Sequence, residues 1–133
     1  MKLVPMRSKE LHTLVEKYSY PVSKKDTVVL VDNKIVFINK QPCFFYYEKR
    51  LAPTLHVLQE KELLKKVVVD MGAVRFLVGG ADLMRPGVKE IDPLIQKDDF
   101  LVVVDVNNRK ALMVGIALFD AEEIQKLHSG KVV

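Results

Sequence analysis

The side chains of this chain that could carry out chemistry are few, and none forms a known catalytic arrangement. The sequence has no G-x-S-x-G motif, no phosphate-binding loop and no Cys–His cluster. Asp98-Asp99 could hold a metal ion or form a charged turn, and the turn is the preferred interpretation. Cys43 is interpreted as a buried small side chain rather than a nucleophile, because no histidine lies near it in sequence. The residues therefore predict no catalytic site, no metal site and no cofactor.

Charge points to binding instead. The 133 residues carry a net charge of +4. Residues 1–66 contain 13 Lys and Arg against 7 Asp and Glu, whereas residues 67–133 contain 8 against 10. A basic half favours a polyanionic partner, because lysines neutralise phosphates and release counterions, although a mild excess of lysine is also common on ordinary surfaces. On charge alone, Arg109 and Lys110 are candidate phosphate contacts.

A short helix near the middle of the chain is the element expected to position a binding site. The apolar run Val67–Val69 predicts a buried strand, and Asp70 follows it as a helix cap. The next apolar residues recur at i, i+3 and i+4, which predicts one buried helix face. That face consists of Ala73, Phe76 and Leu77.

Glycine and proline then shape the corner that follows the helix. Gly79 and Gly80 are predicted to end the helix, because glycine adopts the left-handed conformation that helix ends need. Arg85-Pro86-Gly87 predicts a second turn. A corner with so much glycine and proline is expected to present its main chain, and Asp82 is expected to bond to backbone in this turn.

The elements of the first half read as a helix and a β-meander. Residues 7–18 predict a helix that is capped by Ser8. The β-rich runs 27–31 and 34–38 flank Asp32-Asn33, a pair that favours a tight hairpin. Residues 43–49 predict an aromatic strand that either packs in a core or stacks bases. Pro53 is expected to begin a short helix.

The second half continues with two buried strands and a helix. Residues 98–105 and 111–119 predict a hairpin around Asn107-Asn108, and Gly115 suggests a bend or a close backbone approach. Asp120 and Glu123 have the spacing of a capping box for a last helix over 121–128.

Several of these residues together resemble the signature of the PUA domain, an RNA-binding module. The apolar positions between them also fit. The matching residues are Val69-Asp70, Gly72-Ala73, Gly80-Ala81-Asp82, Pro86-Gly87-Val88 and Val114-Gly115.

The whole chain is similar to the malignant T-cell amplified sequence family, whose members pair a pre-PUA domain with a PUA domain. The N-terminal helix, the meander and the segment 52–55 support this likeness. It implies an α+β fold: a pre-PUA α/β-meander domain over residues 1–64, then a PUA pseudo-barrel of mixed β-strands with short helices over 65–133.

The resemblance implies a non-enzymatic RNA-binding protein of the translation machinery. The expected partners are structured RNA (tRNA or rRNA), the small ribosomal subunit and a protein similar to density-regulated protein. By position, the RNA-binding residues would be Arg75, Gly79, Gly80, Arg85 and Lys89, with Arg109 and Lys110 added on charge. Arg75 is expected to project away from the buried helix face, either to RNA or as a solvated or salt-bridged arginine.

Two alternatives remain open: a protein-interaction adaptor, and an RNA-targeting subunit of an RNA-modification or ribosome-associated complex. The chain has no run of about 20 apolar residues and no secretory signal pattern. Its single thiol suits a reducing cytoplasm. The expected location is therefore cytoplasmic, without a membrane partner.

Two features depart from the family pattern. PUA domains usually carry Gly-Asp where this chain has Asp98-Asp99. The chain also ends at residues 130–133, where the family usually adds another strand, which leaves two alternatives: a shortened strand closes the barrel, or this chain is a minimal member of the family.

Overall fold

The computed structural model describes all 133 residues, which form two compact units, Met1–Leu63 and Leu64–Val133. We refer to them as the N-terminal unit and the C-terminal unit. Both combine β-sheet with short helices, so the predicted α+β class is confirmed. None of the helices has both the length and the apolar character that a membrane crossing requires.

The N-terminal unit is an antiparallel five-stranded meander with strand order β1-β2-β3-β4-β5. Two short helices accompany it, and a 3-10 turn over Glu16–Tyr18 follows the first helix. The elements are β1 (Leu3–Met6), α1 (Ser8–Leu14), β2 (Val28–Val31), β3 (Ile35–Ile38), β4 (Gln41–Tyr47), β5 (Arg50–Pro53) and α2 (Leu55–Leu58).

The predicted hairpin is confirmed, because β2 and β3 pair through a loop of residues 32–34, in which Asp32 and Asn33 have φ of 52° and 57°. Both angles lie in the left-handed region that Asp and Asn tolerate. The aromatic strand β4 supplies Phe44 to the core, whereas Tyr47 is 46% exposed. Core packing therefore accounts for the most buried ring of this strand.

Three local predictions for the N-terminal unit are wrong. The expected helix over 7–18 is interrupted after Leu14, and its N-cap residue is Arg7, which makes no side-chain cap; Ser8 is already helical. Pro53 ends β5 instead of beginning a helix. The helix begins after Thr54, whose Oγ1 accepts from Val57 N at 3.5 Å.

The C-terminal unit contains a four-stranded mixed sheet with strand order β7-β6-β8-β9. β6 and β8 are parallel, and the other neighbours are antiparallel. The elements are β6 (Lys65–Val69), α3 (Met71–Val78), β7 (Val88–Ile91), β8 (Phe100–Asp105), β9 (Ala111–Ile116) and α4 (Ala121–Lys126), with a 3-10 turn over Arg85–Gly87.

The last residues of the chain close the core of the C-terminal unit. Lys131 pairs with Met84 in a single β-bridge. Val132 N donates to Leu83 O at 2.9 Å, and Val132 O accepts from Leu118 N at 3.0 Å. The side chain of Val132 is buried in the core. Of the two alternatives, the structure shows the shortened strand, as one bridge and two flanking hydrogen bonds.

The turn before β8 keeps a left-handed residue even though glycine is missing. Asp98 has φ of 72°, and aspartate is one of the few residues that tolerate this conformation. Asp99 Oδ2 accepts from Gln96 N at 2.9 Å and from Lys65 Nζ at 3.2 Å. The charged-turn interpretation of this pair is confirmed.

The predicted capping box at α4 is wrong. Asp120 occupies the N-cap position but makes no side-chain cap. Its Oδ1 accepts from Lys97 N at 2.7 Å instead. The aspartate therefore fixes the loop before β8 rather than the helix that follows it.

Gly115 lies where close packing leaves no room for a side chain. A Cβ at this position would overlap Val133 Cγ1 and lie 3.3 Å from Met113 Cε. We expect Gly115→Ala to lower the free energy of unfolding by about 1–2 kcal/mol, because the terminal segment must move to admit a methyl group. Denaturant titration measures the loss.

Gly79→Ala is the matched control. Its added Cβ would lie 3.5 Å from Phe76 O, an ordinary contact, at a φ of −79° that alanine readily adopts. An equal loss of stability in both variants would contradict the packing role of Gly115.

Candidate nucleic-acid interface

The corner after β6 is built around α3. Asp70 Oδ1 accepts from Ala73 N at 2.8 Å, so the predicted cap is confirmed. At the other end, Gly80 takes φ of +93°, whereas Gly79 keeps φ of −79°. Only one of the two glycines therefore uses the left-handed conformation predicted for the pair.

The main-chain donors of residues 79–81 are already used. Gly79 N donates to Arg75 O, and Gly80 N donates to Leu77 O. Ala81 N donates to Phe76 O at 3.0 Å. The glycine loop thus offers space rather than free N–H groups, since nothing lies within 4 Å of a Cβ placed on Gly80.

The 3-10 turn over Arg85–Gly87 packs closely against α3. Gly87 O accepts from Asp70 N at 3.0 Å. A Cβ on Gly87 would lie only 2.9 Å from Ala73 Cβ, so this position has no room for a side chain. The turn is held against the helix start by these contacts.

An open cavity of about 420 Å³ lies between α3 and this turn. Its lining is predominantly apolar, and its two ionisable side chains are the carboxylates of Asp70 and Asp82. The lining residues are Asp70, Gly72, Ala73, Phe76, Leu77, Ala81, Asp82, Leu83, Met84, Pro86 and Gly87.

The prediction that Phe76 faces the core is wrong. The ring is 62% exposed, whereas Leu77 is buried with Ala73 and Val74 packed beside it. A helix of two turns buries only a narrow stripe, and the spacing alone does not decide which neighbour of Leu77 joins it. The outcome is an exposed aromatic ring at the edge of the cavity.

Arg75 lies beside that ring. Its guanidinium carbon is 5.7 Å from the Phe76 ring centroid, a cation–π arrangement. Arg75 is exposed and makes no ion pair. If Arg75 has no RNA contact, it is therefore a solvated arginine and not a salt-bridged one.

Arg85, another predicted RNA contact, is engaged inside its own unit. Its Nε donates to Ile124 O at 2.7 Å, and Nη1 donates to Val88 O at 3.4 Å. The side chain is half-buried. Its guanidinium thus ties the 3-10 turn to α4, and an RNA contact would have to compete with these carbonyls.

Arg109 and Lys110 follow β8 in a turn that is organised by a buried carboxylate. Asp105, which is 3% exposed, accepts from Asn108 N at 2.6 Å and from Lys110 N at 3.2 Å. The hydrogen bond from Asn108 N is the main reason that the pKa of Asp105 lies below its usual value. Arg109 Nη2 donates to Glu90 Oε2 at 3.1 Å.

The predicted cations therefore do not form one surface through their contacts. Lys89 is exposed on β7, at an irregularity in the pairing of β7 with β6, and it makes no ion pair. Arg109 is instead paired with Glu90. None of the seven predicted residues lines the cavity, and Arg75 is linked to it only through its contact with the Phe76 ring.

The expectation that Asp82 bonds to backbone is wrong. Its Oδ2 pairs with Lys131 Nζ at 3.2 Å, and both side chains are well exposed. Asp82 and the exposed Met84 and Phe76 are the site features that sequence reasoning missed. The only sequence feature that could have indicated them is Phe76 next to Arg75, on a helix too short to bury both side chains.

The family model for the PUA domain matches residues 65–133. An uncharacterized protein of Methanocaldococcus jannaschii is 38% identical over 130 residues, which cover 94% of this chain and 80% of that protein. Malignant T-cell-amplified sequence 2 of Homo sapiens is 30% identical over 116 residues, covering 80% of this chain and 64% of that protein.

Translation machinery-associated protein 20 of Eremothecium gossypii is 28% identical over 100 residues, and the match covers 70% of this chain and 55% of that protein. This chain thus spans between about half and two thirds of the length of these two eukaryotic relatives. Among solved structures, a hypothetical protein of Pyrococcus horikoshii superposes with a TM-score of 0.84 at 27% identity, covering 99% of this chain and 91% of that one.

Proposed function

Because the chain belongs to the PUA-domain family, we propose that it is a non-enzymatic RNA-binding protein of the translation machinery. The observation that carries the proposal is the open apolar cavity that Phe76 lines, with Arg75 beside that ring. The relatives named for translation machinery and for malignant T-cell-amplified sequences support the cellular setting. The matching location is the cytoplasm, where translation factors act.

The cavity suits an unpaired base better than a phosphate. Its lining is apolar, and its two ionisable groups are carboxylates, which repel a phosphate. A base that leaves its stack can place one ring face against Phe76, and such stacking tolerates any base. The carboxylate of Asp82 can accept a hydrogen bond from an exocyclic amino group. The site therefore favours a single-stranded end or loop of a structured RNA.

The phosphates of that strand would lie outside the cavity. Arg75 is exposed beside Phe76 and has no acidic partner to displace. Gly80 leaves room for a backbone to pass close to the end of α3. Phosphate contacts of this kind fix the register of the RNA, whereas the cavity holds the base. Lys89 and Lys110 are exposed cations that could extend this contact.

Structured RNA in this setting means tRNA or small-subunit rRNA. The proposed partners are accordingly the small ribosomal subunit and a protein similar to density-regulated protein. We also propose that the N-terminal unit corresponds to the pre-PUA domain, because its helix and β-meander agree with the resemblance.

The test is Phe76→Ala. We expect affinity for unfractionated tRNA to fall about tenfold, because stacking of a base on an aromatic ring contributes about 1–3 kcal/mol. Fluorescence anisotropy with labelled tRNA measures the dissociation constant. Stability should change little, because the ring is mostly exposed.

Val78→Ala is the matched control, since Val78 lies on the same helix, is 71% exposed and does not line the cavity. Its affinity should equal that of the wild type. If the wild type, Phe76→Ala and Val78→Ala bound tRNA with equal affinity, the cavity would not be part of the RNA site. Failure of the wild type to bind RNA would refute the proposed function.

A protein-interaction adaptor is the second candidate, and one observation favours it. Four apolar side chains of the same corner are well exposed: Met71, Phe76, Val78 and Met84. Clustered exposed apolar residues are typical of protein contacts. A pull-down from lysate that survives nuclease treatment would favour the adaptor or an RNA-targeting subunit over direct RNA binding.

A further inference from the structure

The net positive charge of the chain belongs to one unit. The N-terminal unit contains eleven Lys and Arg against seven Asp and Glu, a net charge of +4. The C-terminal unit, which carries the cavity described above, contains ten against ten and is neutral. The N-terminal unit, and not the unit with the cavity, is therefore the source of electrostatic attraction to a polyanion.

Hydrogen bonds clamp two loops together at one end of the five-stranded sheet. Asn39, in the turn between β3 and β4, accepts from Thr27 N at 2.9 Å through Oδ1. Its Nδ2 donates to Asp26 Oδ1 at 3.0 Å, and Asp26 Oδ2 accepts from Ser23 N at 2.8 Å. The loop before β2 is thereby fixed to the β3–β4 turn.

Three lysines are carried by the clamped loops, and we call them the lysine cluster: Lys24, Lys25 and Lys40. All three are exposed, and none forms an ion pair or a side-chain hydrogen bond. The main chain beneath them is well defined, since Lys25 N donates to Ser23 Oγ and Lys40 has φ of 70° within its turn. Three ammonium groups at one end of a sheet, without acidic partners, favour an anion.

The carboxylate of Asp26, which follows Lys25 in sequence, is directed into the clamp. The bond from Ser23 N is the main reason that the pKa of Asp26 lies below its usual value, so this group stays charged. Both of its oxygens are engaged by Ser23 and Asn39. Asp26 therefore reduces the local charge but does not pair with any lysine of the cluster.

A polar cavity of about 290 Å³ borders the clamp, with Asp26 and Asn39 in its wall. Gln41 and His56 also line it, and neither side chain has a hydrogen-bond partner within the chain. Glu60 and Lys61 contribute opposite charges to the same lining. Free amide and imidazole groups beside lysines suit the hydroxyls and base edges of a ribonucleotide more than a uniformly charged acidic peptide.

We propose that the lysine cluster binds RNA phosphates and gives the chain a second RNA contact, on the N-terminal unit. The inference rests on the proposed function, because the first contact is the cavity of the C-terminal unit. A second contact on the same molecule acts at a high effective concentration once the first is made. The cluster supplies affinity and salt dependence, whereas the cavity supplies the base contact.

The test compares two triple variants of the full chain. In the first, Lys24→Ala, Lys25→Ala and Lys40→Ala remove the cluster. In the control, Lys2→Ala, Lys34→Ala and Lys49→Ala remove the same charge at the opposite end of the same sheet, where these lysines are also exposed and unpaired. Binding of unfractionated tRNA is measured over a series of salt concentrations.

For the cluster variant, we expect affinity at low salt to fall about tenfold. The slope of log K against log salt should decrease by about 3, because each phosphate that is no longer neutralised by a lysine reduces it by about 1. The control should keep the slope and affinity of the wild type. Acetylation of lysines in the wild-type complex, read by mass spectrometry, should show protection of the cluster.

Two negative outcomes are distinguishable. If wild-type protein does not bind tRNA at any salt concentration, the proposed function fails, and this inference fails with it. If wild type binds tRNA but both triple variants lose affinity equally, or the cluster remains fully reactive in the complex, the second contact is refuted and the cavity proposal stands. Circular dichroism confirms that both variants remain folded.

Discussion

Replacing Phe44 with alanine is expected to destabilise the N-terminal unit by about 3–5 kcal/mol, the usual cost of emptying a buried aromatic site. Phe44 has no exposed surface. Its ring is stacked against Tyr18, with centroids 6.0 Å apart, and contacts Tyr20 edge-on at 5.1 Å. Removal of the ring leaves a cavity and abolishes both aromatic interactions. Urea denaturation followed by tyrosine fluorescence measures the change.

Tyr47→Ala is the control for this prediction, because Tyr47 lies on the same strand and is 46% exposed. It should lose less than about 1 kcal/mol, since mainly exposed side chains contribute little. Phe44→Leu should fall between the two, because leucine fills part of the volume. If Phe44→Ala and Tyr47→Ala lowered the free energy of unfolding by similar amounts, Phe44 would not be the centre of this core.

Arg85→Ala is expected to destabilise the C-terminal unit by about 2–3 kcal/mol, because hydrogen bonds from charged groups contribute more than neutral ones. The guanidinium links two segments through Ile124 O and Val88 O. Arg85→Lys should not restore the stability, since a single ammonium cannot reproduce the planar fork. Thermal and denaturant unfolding measure the change.

Lys89→Ala is the companion variant, because Lys89 is exposed, has no partner and lies four residues along the chain. It should leave stability unchanged. RNA binding measured well below the unfolding temperature then separates the two roles of Arg85. If Arg85→Ala keeps wild-type stability and loses RNA affinity, Arg85 is an RNA contact, as the sequence suggested, and its structural role is refuted.

Local rules predicted the framework of the corner well. The cap at Asp70 and the left-handed Gly80 follow from side-chain and backbone chemistry that acts within a few residues. The hairpin at Asp32-Asn33 follows for the same reason. Gly115 was also predicted correctly as a point of close approach, although its neighbour, Val133, could not be named.

The wrong predictions for Asp82, Phe76 and Asp120 involve partners that are distant in sequence. Asp120 has the spacing of a helix cap, yet its carboxylate accepts a hydrogen bond from Lys97 N, which lies 23 residues away in sequence. Asp82 likewise finds Lys131 instead of its own turn. Helical periodicity placed Phe76 inside, because a sequence pattern does not show how much of a short helix the sheet covers. Tertiary contacts decide these cases, and they are not encoded locally.

The candidate site was predicted in part. The resemblance pointed to Arg75, whose guanidinium lies beside the Phe76 ring of the cavity, and to Gly79 and Gly80, which do not line the cavity. The cavity itself, its apolar lining and its carboxylates follow from the packing of α3 against the Arg85–Gly87 turn, which a linear pattern does not describe. Counting charges found lysines in the first half, but only the structure showed that hydrogen bonds clamp two loops and gather three of them.

Burial of the single thiol has a practical consequence for spectroscopy. Cys43 is 4% exposed, and burial raises its thiol pKa, so little thiolate is present at neutral pH to react with maleimides. A fluorophore or spin label can therefore be attached at a surface cysteine outside the lysine cluster, such as Lys34→Cys, without first replacing the native one. The same chain then permits distance measurements between labelled protein and labelled RNA in a single preparation.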